Sequence, residues 1–353
     1  MSALQLRLRR VQLALTRPYA VSGGSWDSAD LVFVELRDAG GARGWGQASP
    51  AEEVTGENAA ASETALRGLP SAFSADAQVD GALEALASTP AARAALDMAL
   101  CDLRARRAGL SVVEQLGRVA PAQPTSITIG LKGLAETLDE AREYVSRGFR
   151  ALKVKTGAEV ELDIERLAKL RETFGDALTL RADANCGYDE RAFRRFAACV
   201  EPLDIELLEQ PTPRGSEACW RAADESVQQR IVADESVHDL SELERWIAGG
   251  APFGSVNIKL MKCGGVRPAL GLARACERAG LGVMWGCMDE SVLGISAALH
   301  AAFSSRATRY LDLDGSLDLA EDPFTGGFAL AGGVLDVLPA PGLGAQSRSE
   351  FFP

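Results

Sequence analysis

The sequence predicts an α/β barrel that follows an α+β amino-terminal module. Three observations lead there. From Thr125 onward, short apolar runs alternate with amphipathic helical stretches, the βα repetition that builds a parallel sheet. Eight such runs occur, enough to close a sheet on itself. Unusual polar residues end five of them at one interval: Lys155 to Asp183 is 28 residues, Asp183 to Glu209 is 26, and the steps on to Asp234 and Lys259 are 25 each. One interval is one βα unit. In a closed barrel the carboxyl ends of successive strands meet on one face, whereas an open doubly wound sheet would spread these residues along a line.

In chain order, Met1 to Leu15 alternates apolar and polar residues and reads as a strand. Arg7, Arg9 and Arg10 interrupt the stretch that a signal peptide would keep apolar. Asp30 to Leu36 and Gly44 to Gln47 are further strands, and the Ala/Leu-rich stretches Ala59 to Leu69 and Ala91 to Ala108 are helices. The barrel strands are expected at Thr125–Gly130, Phe149–Lys155, Leu178–Asp183, Ile205–Glu209, Arg230–Asp234, Ser255–Leu260, Gly282–Gly286 and Arg309–Leu313. A Gly-rich hairpin, Gly326 to Val337, is expected to return to the amino-terminal module. The chain therefore divides into a module at 1–122, a barrel at 123–318 and a returning segment at 319–353.

Composition narrows the function. With 37 basic and 49 acidic residues the chain carries a formal charge of −12, which repels nucleic-acid phosphates and anionic lipid, so neither partner is expected. No apolar run reaches the length of a membrane span. Seven scattered cysteines without a CxxC pair suit reduced thiols in a cytoplasm. His238 and His300 are the only histidines, which disfavours His-rich zinc sites and Ser-His-Asp chemistry.

Asp183, Glu209 and Asp234 end three consecutive strands. One such residue reads most simply as a helix N-cap, but three carboxylates on one barrel mouth repel each other unless a cation neutralises them. All-oxygen ligands favour a hard ion, Mg2+, with Mn2+ as a substitute. The pentapeptide Ala-Asp-Glu-Ser-Val occurs at both 223–227 and 233–237. Only Asp234 follows a strand one βα unit after Glu209, so Asp224 is expected to be a solvated helix residue. Lys153 and Lys155 bracket Val154, and period-two geometry turns both inward on strand 2, while Lys259 ends strand 6 on the opposite wall. Salt bridges to the carboxylates are the plain reading of these lysines. The chemical reading is proton removal from one face of a carbon α to a carboxylate and delivery to the other, with the metal and Lys153 stabilising the enediolate. Neighbouring positive charge and desolvation are expected to lower a lysine's pKa and make Lys155 a base.

Lys153-Val-Lys155, Asp183-Ala-Asn185, Glu209-Gln-Pro211, Ala233-Asp-Glu-Ser236 and Asn257-Ile-Lys259 resemble, in order and spacing, the muconate lactonizing enzyme subgroup of the enolase superfamily. The likeness runs from Gly44-Trp-Gly-Gln-Ala-Ser-Pro50 and Val54-Thr-Gly-Glu57 to the last strand. It implies a modified TIM barrel of (β/α)7β type, with an α+β capping domain whose loops choose the substrate. It also implies an isomerase that uses Lys155 and Lys259 as acid and base. Family members are often oligomeric, so a homo-oligomer is compatible with the resemblance. Leu311-Asp-Leu-Asp-Gly315 and Gly286-Cys-Met-Asp-Glu-Ser291 look like dipeptide epimerases, in which the aspartate pair, here Asp312 and Asp314, holds the substrate's α-ammonium. Alternation puts that pair on one strand face, although a turn before Gly315 would also explain Asp314.

The expected activity is Mg2+-dependent inversion of the α-carbon of a dipeptide's C-terminal residue. The same-subgroup alternatives are an o-succinylbenzoate synthase or an N-acylamino acid racemase, and the alternative from another class is a non-catalytic carboxylate-binding barrel. For the side chain of the second residue, the lid Tyr19 to Leu31 holds no lysine or arginine but carries Trp26, Asp27 and Asp30. Glu52, Glu53 and Asp289 add carboxylates, so a cationic or apolar side chain is expected and an acidic one is not. Ser22 to Ser25 reads as a lid loop rather than a phosphate cradle, Arg181 as an interior ion-pair partner, and His300 as a helix residue without a chemical role.

Overall fold

The computed structural model describes residues 4–21, 24–348 and 351–352. Ser22 and Gly23 of the expected lid loop lie outside the described residues. The alternating amino terminus forms β1 (Leu4–Val21), which pairs antiparallel with β2 (Gly24–Arg37); β2 in turn pairs with β3 (Arg43–Ala48). A short β4 (Ala72–Phe73) adds to the free edge of β1. The helix Pro90–Ala108 starts with proline at its first turn, ends on Gly109 in the left-handed region, and covers this sheet. Its backbone comes so close to β3 that a Cβ on Gly46 would stand 1.9 Å from the Ala95 carbonyl oxygen, which only glycine permits.

After β5 (Gln123–Pro124) the chain enters an eight-stranded parallel sheet. Its strands are β6 (Ser126–Ile129), β7 (Ala151–Lys155), β8 (Thr179–Asp183), β9 (Ile205–Glu209), β10 (Ile231–Ala233), β11 (Ser255–Ile258), β12 (Gly282–Trp285) and β13 (Thr308–Leu311). They follow one another in sequence order, and a parallel bridge between Thr125 and Leu311 joins the last to the first. Helices fill every connection from β6 to β13, but β13 is followed only by a 3-10 turn, Gly315–Leu317, so the barrel is of (β/α)7β form. Inside, Leu207, Val232 and Met284 with Tyr310 form a small apolar plug separate from the main core. The charged side chains further along the same strands occupy the carboxyl end of the barrel.

The Gly-rich hairpin forms from β15 (Phe328–Ala331) and β16 (Val334–Val337), yet it pairs with β5 and not with the amino-terminal sheet. Contact with that sheet comes from other parts of the tail. Leu319 bridges Leu15, and Phe324 of β14 (Phe324–Gly326), which pairs with β17 (Ala345–Ser347), stacks on Phe33 at 5.5 Å. Among the described residues no helix is long and apolar enough to cross a membrane.

Candidate active site

Lys153 and Lys155 project two residues apart from β7, and both are buried. Asp183 closes β8 and Glu209 closes β9. Asp234 and Lys259 stand one residue beyond β10 and β11, because the ladder stops where the chain bends into the loop, but both remain buried with the others. Lys155 Nζ donates to Asp183 Oδ2 at 2.7 Å and to Asn185 Oδ1 at 2.9 Å, and Lys259 Nζ donates to Asp234 Oδ2 at 2.7 Å. Lys153 Nζ donates to Asp312 Oδ2 and lies 3.4 Å from Glu209 Oε2 and 3.6 Å from Asp183 Oδ2. The two lysine walls and the three carboxylates between them therefore meet as one charged floor.

The charges on this floor do not balance evenly. Burial works against the ionised forms of Asp183 and Asp234, but the bonded lysines outweigh it and hold both below the usual carboxylate range. Glu209 goes the other way: burial and then Asp183 push its pKa well up, and its close partner is the neutral Asn257 Nδ2 at 2.6 Å. For Lys153 and Lys259, desolvation pulls down, but the carboxylates bonded to them win and raise both. Carboxylates touch these two lysines, while lysine–lysine repulsion is a minor influence on Lys259.

As they stand, no three His, Cys, Asp or Glu side chains among the described residues are gathered to hold a metal ion, since the lysines hold the carboxylates instead. The donor set still fits a hard divalent cation. It is all oxygen, Glu209 is short of positive charge, and Glu235 Oε2, beside Asp234, is buried with no hydrogen bond.

Three residues escaped the sequence reading. Lys262 Nζ donates to Asp234 Oδ1 at 2.5 Å and to the carbonyls of Asp234, Asn257 and Val237 at 2.7, 2.9 and 3.1 Å, fixing how Asp234 is presented. The Lys-x-x-Lys spacing after β11 was the available signal. Gln210, at φ 31°, accepts from Asp234 N and Ser236 N and donates to Thr212 O and Ser236 Oγ, clamping the β9 and β10 loops together. The third, Asp318, lines the cavity above this floor.

That cavity, of about 660 Å3, opens between barrel and cap and is lined by Lys153, Lys155, Lys259, Asp289, Asp312 and Asp314, with Trp26, Glu52 and Glu53 from the cap. Asp314 is not on a strand face: β13 ends at Leu311, and Asp314 begins the 3-10 turn. Both aspartates nevertheless face the cavity. Asp312 accepts from Lys153 and from Ser126 Oγ at 2.6 Å, and Asp314 accepts from Thr128 N at 2.7 Å. Burial and then the Asp312 charge raise Asp314.

The rim is less acidic than the lid sequence suggested. Arg10 of β1 reaches across to Asp30 at 2.5 Å, and Arg17 of the same strand pairs with Glu143 at 2.8 Å. Both arginines line the cavity: the lid segment itself holds no lysine or arginine, and the residue that pairs with Asp30 lies on the neighbouring strand. Arg181 pairs with Glu206 at 2.7 Å inside the barrel. Asp224 is exposed at the start of the short helix Glu225–Gln228. His300 is buried in the helix Val292–Phe303, and its Nδ1 accepts from Val113 N at 3.0 Å.

Two family descriptions match the chain: "Mandelate racemase / muconate lactonizing enzyme, N-terminal domain" over residues 3–117, and "Enolase C-terminal domain-like" over residues 136–351. An L-Lys-D/L-Arg epimerase of Methylococcus capsulatus is 46% identical over 98% of this chain and 99% of its own. One from Desulforapulum autotrophicum is 44% identical over the same shares. The crystal structure of a dipeptide epimerase from Methylococcus capsulatus complexed with Mg and the dipeptide L-Arg-D-Lys is 45% identical, covers 98% of this chain and 99% of its own, and superposes with a TM-score of 0.94.

Proposed function

Because the chain belongs to the mandelate racemase/muconate lactonizing enzyme family of the enolase superfamily, we propose that it is a Mg2+-dependent dipeptide epimerase that inverts the α-carbon of the C-terminal residue. The observation that carries this reading is the pair of buried lysines on opposite barrel walls, Lys155 and Lys259, with carboxylates between them and the Asp312–Asp314 pair at one side. Asp183, Glu209 and Asp234 would hold Mg2+, which would supply a fixed positive charge against the charge that develops on the substrate carboxylate. One lysine, neutral, takes the α-proton from one face, and the electron pair of the broken C–H bond moves into the carboxylate to give the enediolate. The other lysine, charged, gives a proton to the opposite face and re-forms the C–H bond with inverted configuration; the roles exchange in the reverse direction. Lys153 adds its ammonium to stabilisation of the enediolate. Asp312 and Asp314 hold the α-ammonium, and the charge shortage at Asp314 supports this role.

Residues 1–122 act as the cap, 123–318 carry the chemistry, and 319–353 tie the two. The seven free thiols support a cytoplasmic setting. A cationic second residue is favoured by Glu52, Glu53 and Asp289 on the cavity wall and by the two L-Lys-D/L-Arg epimerases among the relatives, with Trp26 as a lid over it. The test is incubation with Mg2+ in D2O of Ala-Lys, Ala-Leu and Ala-Glu, reading deuterium at the C-terminal α-carbon by NMR. The expected order of kcat/KM is Ala-Lys, then Ala-Leu, then Ala-Glu. Absence of deuterium in every dipeptide overturns the reading, and preference for Ala-Glu overturns its charge argument.

A further inference from the structure

The rim acids differ in what they are bonded to. Glu140 is held by Lys132 and by Tyr144 Oη at 3.0 Å, with Arg17 3.7 Å away. Asp30 is held by Arg10. Asp318 lines the same cavity, yet its carboxylate has no hydrogen bond or ion pair to any described residue. Its backbone is fixed from both sides: its carbonyl accepts from Thr16 N of β1 at 2.7 Å, and the preceding Leu317 N donates to Asp314 O at 2.8 Å. The backbone of Asp318 is thus held at the seam of cap and barrel, one 3-10 turn beyond Asp314. Burial and then Asp314, Asp289 and Glu140 push its pKa to about 7 against the weaker pull of Arg147, so the acids outweigh the cations at this end of the cavity.

We infer that Asp318 receives a cationic side chain on the substrate's first residue, making it a specificity determinant for the end of the dipeptide opposite the one that reacts. This rests on the dipeptide reading above. If Asp312 and Asp314 hold the α-ammonium, the first residue's side chain leaves from the carbon bearing that ammonium, beside the turn that carries Asp318. A lysine or arginine side chain there supplies positive charge to this acidic wall through a charge-assisted hydrogen bond to the Asp318 carboxylate. Lys132, Arg17 and Arg147, already committed to Glu140 and Glu143, leave Asp318 for the ligand.

The test varies one end at a time. Lys-Ala and norleucine-Ala differ only in the terminal ammonium group of the first side chain; Ala-Lys and Ala-norleucine differ only in that of the second. Wild type is expected to prefer Lys-Ala over norleucine-Ala by roughly 10- to 100-fold in kcat/KM. Asp318→Asn should abolish that preference through KM while leaving the Ala-Lys to Ala-norleucine ratio in place. Asp318→Ser should repeat the one-sided loss, which separates lost charge from disturbed packing at the seam. An unchanged Lys-Ala preference in both variants, or equal loss of both preferences, overturns the inference. Absence of α-deuterium on all four dipeptides with wild type overturns the dipeptide reading itself and the inference with it.

Discussion

The floor of the cavity and its rim are built by different means. On the floor, each functional side chain sits at the end of a barrel strand, and the strand's period fixes which way it points. On the rim, Arg10, Glu52, Asp289 and Asp318 come from four separate segments that meet only when cap and barrel close. The floor is therefore set by local geometry repeated eight times, and the rim by one tertiary encounter. The difference teaches where chemistry and where specificity should respond to mutation.

The largest effects are expected on the floor. Lys155→Ala and Lys259→Ala should each lower epimerisation at least about 1000-fold, measured as the appearance of the second diastereomer, because inversion needs a donor opposite the base. Asp183→Asn, Glu209→Gln and Asp234→Asn should each weaken Mg2+ binding by at least about 100-fold in calorimetry, while Asp224→Asn leaves it unchanged. Loss of metal with Asp224→Asn would break the floor's register. Lys262→Met should cost about 3 kcal/mol of stability in denaturant unfolding, since it leaves part of the buried Asp234 charge unpaired.

Rim changes should be smaller and selective. Asp289→Asn should reduce kcat/KM for Ala-Lys by roughly 5- to 10-fold and leave Ala-Leu unchanged; equal loss on both would make the rim structural. Where cap and barrel touch, Glu290 lies 3.4 Å from Gln47 Nε2, and burial raises its pKa to about 7. An acid whose folded pKa lies above its unfolded value destabilises the fold as pH rises from the unfolded toward the folded pKa. Glu290→Gln should accordingly raise Tm at pH 8 and have little effect at pH 5; the opposite order would show that the carboxylate is stabilised by a partner at the seam.

The same contrast explains what could be read without coordinates. All eight barrel strands lie within two residues of their expected limits, and all six floor residues are buried together, because hydrophobic runs and a repeating interval carry that information in one dimension. Alternation carried on to Asp314 places it on the strand's face, but β13 stops at Leu311, since strand ends depend on a hydrogen-bonding neighbour. Arg10 was not counted among the lid's partners because it is 20 residues from Asp30 and meets it only across the β1–β2 pair. For Lys262 and Gln210 the spacing and the motif mark the positions, but not the bonds that carry them across to Asp234 and the loop after β10.

The central claim is that Lys155 and Lys259 serve opposite faces of one carbon. The direct measurement is α-proton exchange in D2O by each single alanine variant, with the L,L and L,D forms of Lys-Ala supplied separately and deuterium followed by NMR. The account predicts that one variant exchanges only the L,L form, the other only the L,D form, and neither interconverts them. Exchange of both forms by either variant, or interconversion near the wild-type rate, would contradict it.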